Sequence, residues 1–144
     1  MTPAERAERI RLRDDFKYWA ARAYKILPKE GDDLIPLVLN AAQEHALAAI
    51  ERQRLAGKPI RLIILKGRQQ GLSTLIEAWQ LWRTTQGRAK KSLVLAHEAD
   101  SASGLFQQAK RGYDNLPAIL KPSIERSNKK ELTFGVLDSA LEVT

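Results

Sequence analysis

The chain contains no cysteine, one methionine and two histidines, and aromatic residues make up only 6% of its 144 positions. Without cysteine there is no disulfide framework and no thiolate metal site, which suits an intracellular protein. His45 and His97 lie far apart and have no H-E-x-x-H spacing, so no metal site is expected on them. No apolar run reaches membrane-spanning length. The charged start Met1-Thr2-Pro3-Ala4-Glu5-Arg6 lacks a signal-peptide apolar region, so no membrane is expected among the partners. Acidic residues are in deficit: 17 against 24 lysines and arginines leave a net charge of +7 and a pI near 9.9. That balance fits a polyanionic partner such as DNA; the plain alternative is a basic surface that binds nothing. Internal repeats and low-complexity stretches are also absent.

What is present reads as globular. Apolar content of 44% and charged content of 28% are ordinary values, and the length allows one domain with a real core. Thr2, Pro3 and Glu5 read as an N-cap, a first-turn proline and a capping-box acid. The helix they open carries Leu12, Phe16, Trp19, Ala23 and Ile26 at four-three spacing, a docking face within the chain or toward a partner helix. Arg6, Arg9, Arg11, Arg13 and Lys17 interleave with Glu5, Glu8, Asp14 and Asp15, which reads as a solvated helix face rather than a DNA arm. Pro28 through Gly31-Asp32-Asp33 is a linker or turn. A second helix runs from Asn40 to about Leu55, with Asn40 as cap and Gln43 in a capping-box position.

The segment with most chemical content is Lys66-Gly67-Arg68-Gln69-Gln70-Gly71-Leu72-Ser73. Before it, Pro59 to Leu65 is a nearly continuous aliphatic run that reads as a buried strand. After it, Leu72, Leu75, Ile76, Trp79 and Trp82 recur at helical spacing. Strand, glycine-containing polar loop and helix form the layout of a phosphate-binding loop, in which backbone N–H groups and the positive helix N-terminus cradle a polyphosphate. The usual spelling is G-x-x-x-x-G-K-[ST]. Here Gly71 takes the second glycine position and Ser73 the hydroxyl position, while Leu72 stands where lysine is usual and Lys66 opens the loop. The displacement is chemically tolerable, because both stems of such a loop lie close to the same phosphate and a long ammonium reaches it from either. Gly71 would let the backbone approach the phosphates without a Cβ. Ser73 would offer its hydroxyl to a magnesium ion on the nucleotide. The bland reading is a basic strand-to-helix turn.

Beyond the loop, a strand is expected over Ser92 to Ala96, too apolar to be exposed on both faces. A helix follows from Asp100 or Ser101, with Ala102, Leu105, Phe106, Ala109 and Tyr113 on one side. Glu131 to Phe134 and Leu141 to Thr144 read as a hairpin or two short strands. His97 is expected to end its strand with a satisfied ring, and Trp19, Trp79 and Trp82 to be core rather than base-stacking platforms.

A lysine opening the loop, Arg68-Gln69 in its middle and Gly71-Leu72-Ser73-Thr74 at its end resemble the deviant Walker A of bacteriophage terminase large subunits, the ATPases that pump DNA into procapsids. Pro36 to Gln43 upstream, and Leu93 to Glu98, Leu105-Phe106, Leu116-Pro117 and Ser127-Asn128 downstream, are similar to the family's neighbouring stretches. The resemblance spans about residues 36 to 144, and only the loop is specific on its own. Two departures accompany it: no Walker B aspartate-glutamate pair follows an apolar strand, and no nuclease domain is present.

The resemblance implies an α/β fold, a P-loop NTPase of the RecA-like, additional-strand class. It would be present as a partial core with an N-terminal helical segment. Residues 1–58 would be the helical segment with an adenine-side glutamine, and 59–144 the first part of the core. In that class the sheet order is 5-1-4-3-2, so the strands at Arg61 to Leu65 and Ser92 to Ala96 are not neighbours. A chain ending at Thr144 should then expose sheet edge and apolar surface. ATP and Mg2+ are the implied cofactors. Lys66 would neutralise the β/γ-phosphates, Ser73 would hold magnesium, and Gly67, Arg68, Gln69, Gln70, Gly71, Leu72, Ser73 and Thr74 would line the phosphates. Arg68 would either stabilise charge on the transferred phosphoryl, in cis or toward a neighbouring subunit, or fix the loop through a salt bridge. Gln43 would read adenine through its amide or serve only as a cap.

The implied function is the ATP-binding part of a motor that translocates double-stranded DNA into procapsids, in the cytoplasm of an infected bacterium. Double-stranded DNA, a small terminase subunit, a portal protein and further copies of the chain would be its partners. These residues alone are expected to hydrolyse little ATP. Two other readings stay open: a P-loop helicase or recombination ATPase, and a nucleotide- or DNA-binding module that never hydrolyses anything.

Overall fold

A computed structural model describes residues 1–65, 67 and 71–144 of the chain, which is α/β. It divides into two compact units, one of residues 1–38 and 77–144 and one of residues 39–76; a division at residue 58 falls inside the smaller.

In the larger unit, Thr2 and Glu5 form the expected capping box at the start of helix α1, Pro3–Asp14. The apolar stripe does not belong to one helix. Asp15 is extended, ends α1, and caps α2, Phe16–Ala23, by accepting from the Tyr18 N–H. Leu12, Phe16, Trp19 and Ala23 are buried as their spacing predicts, but Ile26 lies in a two-residue strand, β1 (Lys25–Ile26). β1 pairs antiparallel with β2 (Ile35–Pro36) around the turn that holds Gly31. Trp19 and Trp82 are core residues. The Phe16 ring meets both, and Trp82 Nε1 donates to the Leu12 carbonyl at 3.0 Å, fixing the end of α1 by a buried polar contact.

The main sheet has four strands: β3 (Lys91–Val94), β4 (Arg126–Ser127), β5 (Glu131–Phe134) and β6 (Ser139–Val143), in the order β3-β6-β5-β4. β5 and β6 form the expected hairpin, turned by a short 3-10 segment and by Asp138 in the left-handed region. β6 also pairs in parallel with β3, so the terminal hairpin supplies the neighbour of that strand. β3 ends at Val94, short of Ala96, and it is an edge strand. Leu93 and Leu95 on one face are therefore exposed, while Ser92, Val94 and Ala96 on the other are half-buried, so the segment is not exposed on both faces, as expected. His97, beyond the strand end, is exposed and 3.5 Å from the Glu98 carboxylate rather than held in a satisfied site.

Helix α5, Ala99–Asp114, begins one to two residues earlier than its sequence signals suggest, with Glu98 as an N-cap that makes no side-chain cap bond. It packs on β1 and β6. Phe106, Ala109, Gly112 and Tyr113 form its buried side, and Tyr113 stacks against Phe134 of β5. Gly112 lies directly beneath the Tyr24 ring, a place no Cβ can share.

The smaller unit contains α3, Ala41–Leu55, and the first turns of α4, Leu72–Gln86. α3 ends as anticipated, with Gly57 in the left-handed conformation (φ +69°) just beyond it. The run from Pro59 to Leu65 is not a strand: no ladder pairs it with another described residue. Ile63 and Leu65 are 99% and 100% exposed, while Leu62 and Ile64 are each 37% exposed. The period of two belonging to a strand thus survives without a sheet. An aliphatic run forms a ladder only when a neighbouring backbone takes its N–H and C=O groups. The expectation of exposed apolar surface is met here.

Candidate functional site

The site is assembled from the N-terminus of α3 and the residues that lead into α4, all within the smaller unit. Asn40 and Gln43 close a reciprocal capping box. Asn40 Oδ1 accepts from the Gln43 N–H at 2.9 Å, and Gln43 Oε1 accepts from the Asn40 N–H at 2.9 Å. The buried Gln43 amide does a second thing that local sequence does not announce: its Nε2 donates to the Gly71 carbonyl at 2.7 Å.

Gly71 stands immediately before α4, and the same carbonyl accepts from the Leu75 N–H at 3.1 Å, the first turn of the helix. Its φ of +74° is in the left-handed region, where a side chain is strained, and a Cβ there would lie 2.7 Å from Gln43 Nε2. Glycine is therefore required twice, by backbone conformation and by the packed amide. The result is a backbone corner without a side chain at the mouth of a 15-residue helix, and the first-turn N–H groups of a helix have no acceptor within it. In that turn Ser73 is exposed, Thr74 half-buried and Leu72 buried, so Leu72 packs while Ser73 offers its hydroxyl to solvent.

Of the other residues expected at the site, Gly67 is exposed. Lys66, Arg68, Gln69 and Gln70 lie outside the described residues. With Oε1 and one Nε2 hydrogen already engaged, Gln43 retains one N–H and one lone pair for any further ligand. Among the described residues no group of three or more His, Cys, Asp and Glu could hold a metal ion.

One titratable group escaped the sequence reading. Glu77 of α4, in the larger unit, is 2% exposed, and its Oε2 finds no hydrogen-bond partner among the described residues. Burial pushes its carboxyl up to about 7. The Tyr24 phenol is also raised, first by burial and then by the nearby Glu77, with Arg111 pulling the other way. The sequence gives only a weak hint of this: Glu77 follows Ile76 on a helix that is buried around most of its circumference.

No family model matches the sequence, and no curated protein matches it. A crystal structure of the HK97 bacteriophage large terminase does match, with a TM-score of 0.70 and 18% sequence identity over 100% of this chain. The chain covers 27% of that larger protein. At this identity the likeness is one of fold: the chain has a terminase-like α/β fold.

Proposed function

We propose that the corner at Gly71 is a phosphate-binding loop and that the chain is the ATP-binding part of a DNA-packaging motor. The observation that carries this reading is Gly71 itself, at φ +74°, tied by its carbonyl to Gln43 and leading into a long helix with an exposed Ser73 in the first turn. A glycine corner with left-handed backbone at the positive end of a helix dipole suits phosphate oxygens. Lys66, from the opening of the loop, would supply the ammonium that the Leu72 position does not. Magnesium, when bound with ATP, would neutralise charge on the β- and γ-phosphates, and the Ser73 hydroxyl would hold it. The terminase-like fold and the net charge of +7 favour a DNA-translocating protein over other nucleotide binders.

The test is titration of the whole chain with a fluorescent ATP analogue, with and without magnesium. Lys66→Ala should remove most binding under both conditions, and Ser73→Ala should remove chiefly the magnesium-dependent gain. Unchanged affinity in Lys66→Ala would overturn the displaced-lysine loop.

A further inference from the structure

The larger unit holds a groove of about 470 Å³ between one face of α1 and the segments around Ile119 and Val136, lined by no residue of the proposed loop. Arg6, Arg9, Ile10 and Arg13 recur at i, i+3, i+4 and i+7, so a single face of α1 carries three guanidinium groups and one isoleucine into this groove. Of the acids on α1 and at its end, only Asp14 pairs with a groove arginine, Arg13, which leaves the guanidinium groups of Arg6 and Arg9. Glu5 closes the capping box, Glu8 accepts from the Tyr18 hydroxyl, Asp15 caps α2, and Asp14 pairs with Arg13. Arg6 and Arg9 make no ion pair with a described residue. Lys121 adds a further cation, and no aspartate or glutamate lines the groove among the described residues.

The same groove leaves large apolar side chains in water: Ile10 is 45%, Ile119 56% and Val136 73% exposed. An apolar patch rimmed by charge of one sign marks an interaction surface. From these features we infer that the α1 groove docks an acidic amphipathic helix of a partner protein, its aliphatic side chains on Ile10, Ile119 and Val136 and its carboxylates on Arg6 and Arg9. The rise from Arg6 to Arg13, roughly 10 Å, equals about two turns of such a helix. A nucleic-acid backbone would satisfy the arginines but would leave the aliphatic floor uncovered. The inference is independent of nucleotide binding and uses no residue of the loop.

Fluorescence anisotropy with a labelled synthetic helix tests it, using a peptide in which glutamates flank a leucine stripe. A scrambled peptide of the same composition and a short DNA duplex are the competing probes. The patterned peptide should bind about tenfold or more tightly than the scramble. Arg6→Glu with Arg9→Glu should weaken it by about tenfold, and Ile10→Ser by several-fold. These positions are exposed; if the charge-reversed chain melts early, Arg6→Gln with Arg9→Gln replaces it. Equal binding of the two peptides, no binding of either, or indifference to Ile10→Ser overturns the proposal. Preferred binding of the duplex, lost with the arginines but not with Ile10, overturns it in favour of nucleic acid.

Discussion

Gln43 and Gly71, 28 positions apart in sequence, are joined by a 2.7 Å hydrogen bond from the Gln43 amide to the Gly71 carbonyl. Through it the start of α3 holds the entry to α4, and one side chain both caps its own helix and sets the corner of the candidate loop. Mutations at either end should therefore act on stability and on ligand binding together.

Gly71→Ala would place a methyl group 2.7 Å from Gln43 Nε2 in a backbone conformation that L residues resist. Left-handed strain of about 1–2 kcal/mol, together with displacement of the amide, should lower stability by roughly 2–3 kcal/mol in urea melts. Nucleotide affinity should fall with it. A variant of unchanged stability would show that Gly71 does not hold this conformation.

Gln43→Ala leaves the Asn40 cap but removes the reciprocal bond from the Asn40 N–H and the tie to Gly71, at a cost of about 1 kcal/mol for each. Because the amide is engaged at both ends, ATP and GTP affinities should decline in parallel through the loosened corner. A loss confined to ATP in competition titrations would instead assign the amide to the adenine base.

Local features were legible in the sequence and long-range ones were not. The capping boxes at Thr2–Glu5 and Asn40–Gln43 could be read because all their partners lie within three residues. The terminal hairpin could be read because its turn residues are contiguous. The break at Asp15 was hidden because Leu12, Phe16 and Trp19 keep helical phase across it. Pro59 to Leu65 has the composition of a strand, but pairing depends on a neighbour that composition does not specify. The bond from Gln43 to Gly71, the burial of Glu77 and the basic groove all join residues from separate elements. The left-handed glycine at position 71 was nonetheless visible, because it falls on the second glycine of the phosphate-loop spelling, two residues before Ser73.

Gly112→Ala should destabilise the larger unit although alanine is the better helix former. The new Cβ would overlap the Tyr24 ring and come within 3.0 Å of Leu81 Cδ2, both in a close-packed interior. Overpacking of about 1–3 kcal/mol outweighs the roughly 1 kcal/mol gained in helix propensity. The measurement is the urea midpoint. A rise in midpoint would mean that the Tyr24 ring is not seated over α5.

Glu77 should make stability fall as the solution becomes more alkaline. Its carboxyl titrates near 7 in the folded chain against an ordinary value of 4.5, so between those values the folded state binds more protons than the unfolded state. The neutral acid is fully tolerated below about pH 4.5, and the cost of ionising a buried carboxyl grows through pH 7 toward a ceiling of roughly 3 kcal/mol. Glu77→Gln removes the ionisation while keeping the shape. Melting temperatures of the two chains should therefore nearly coincide at pH 5, and the glutamine variant should be the more stable at pH 8. Comparing the two chains cancels the contributions of the other carboxylates, which are common to both. A difference that does not change between pH 5 and pH 8 would show that Glu77 is ionised in the folded protein or is exposed to water.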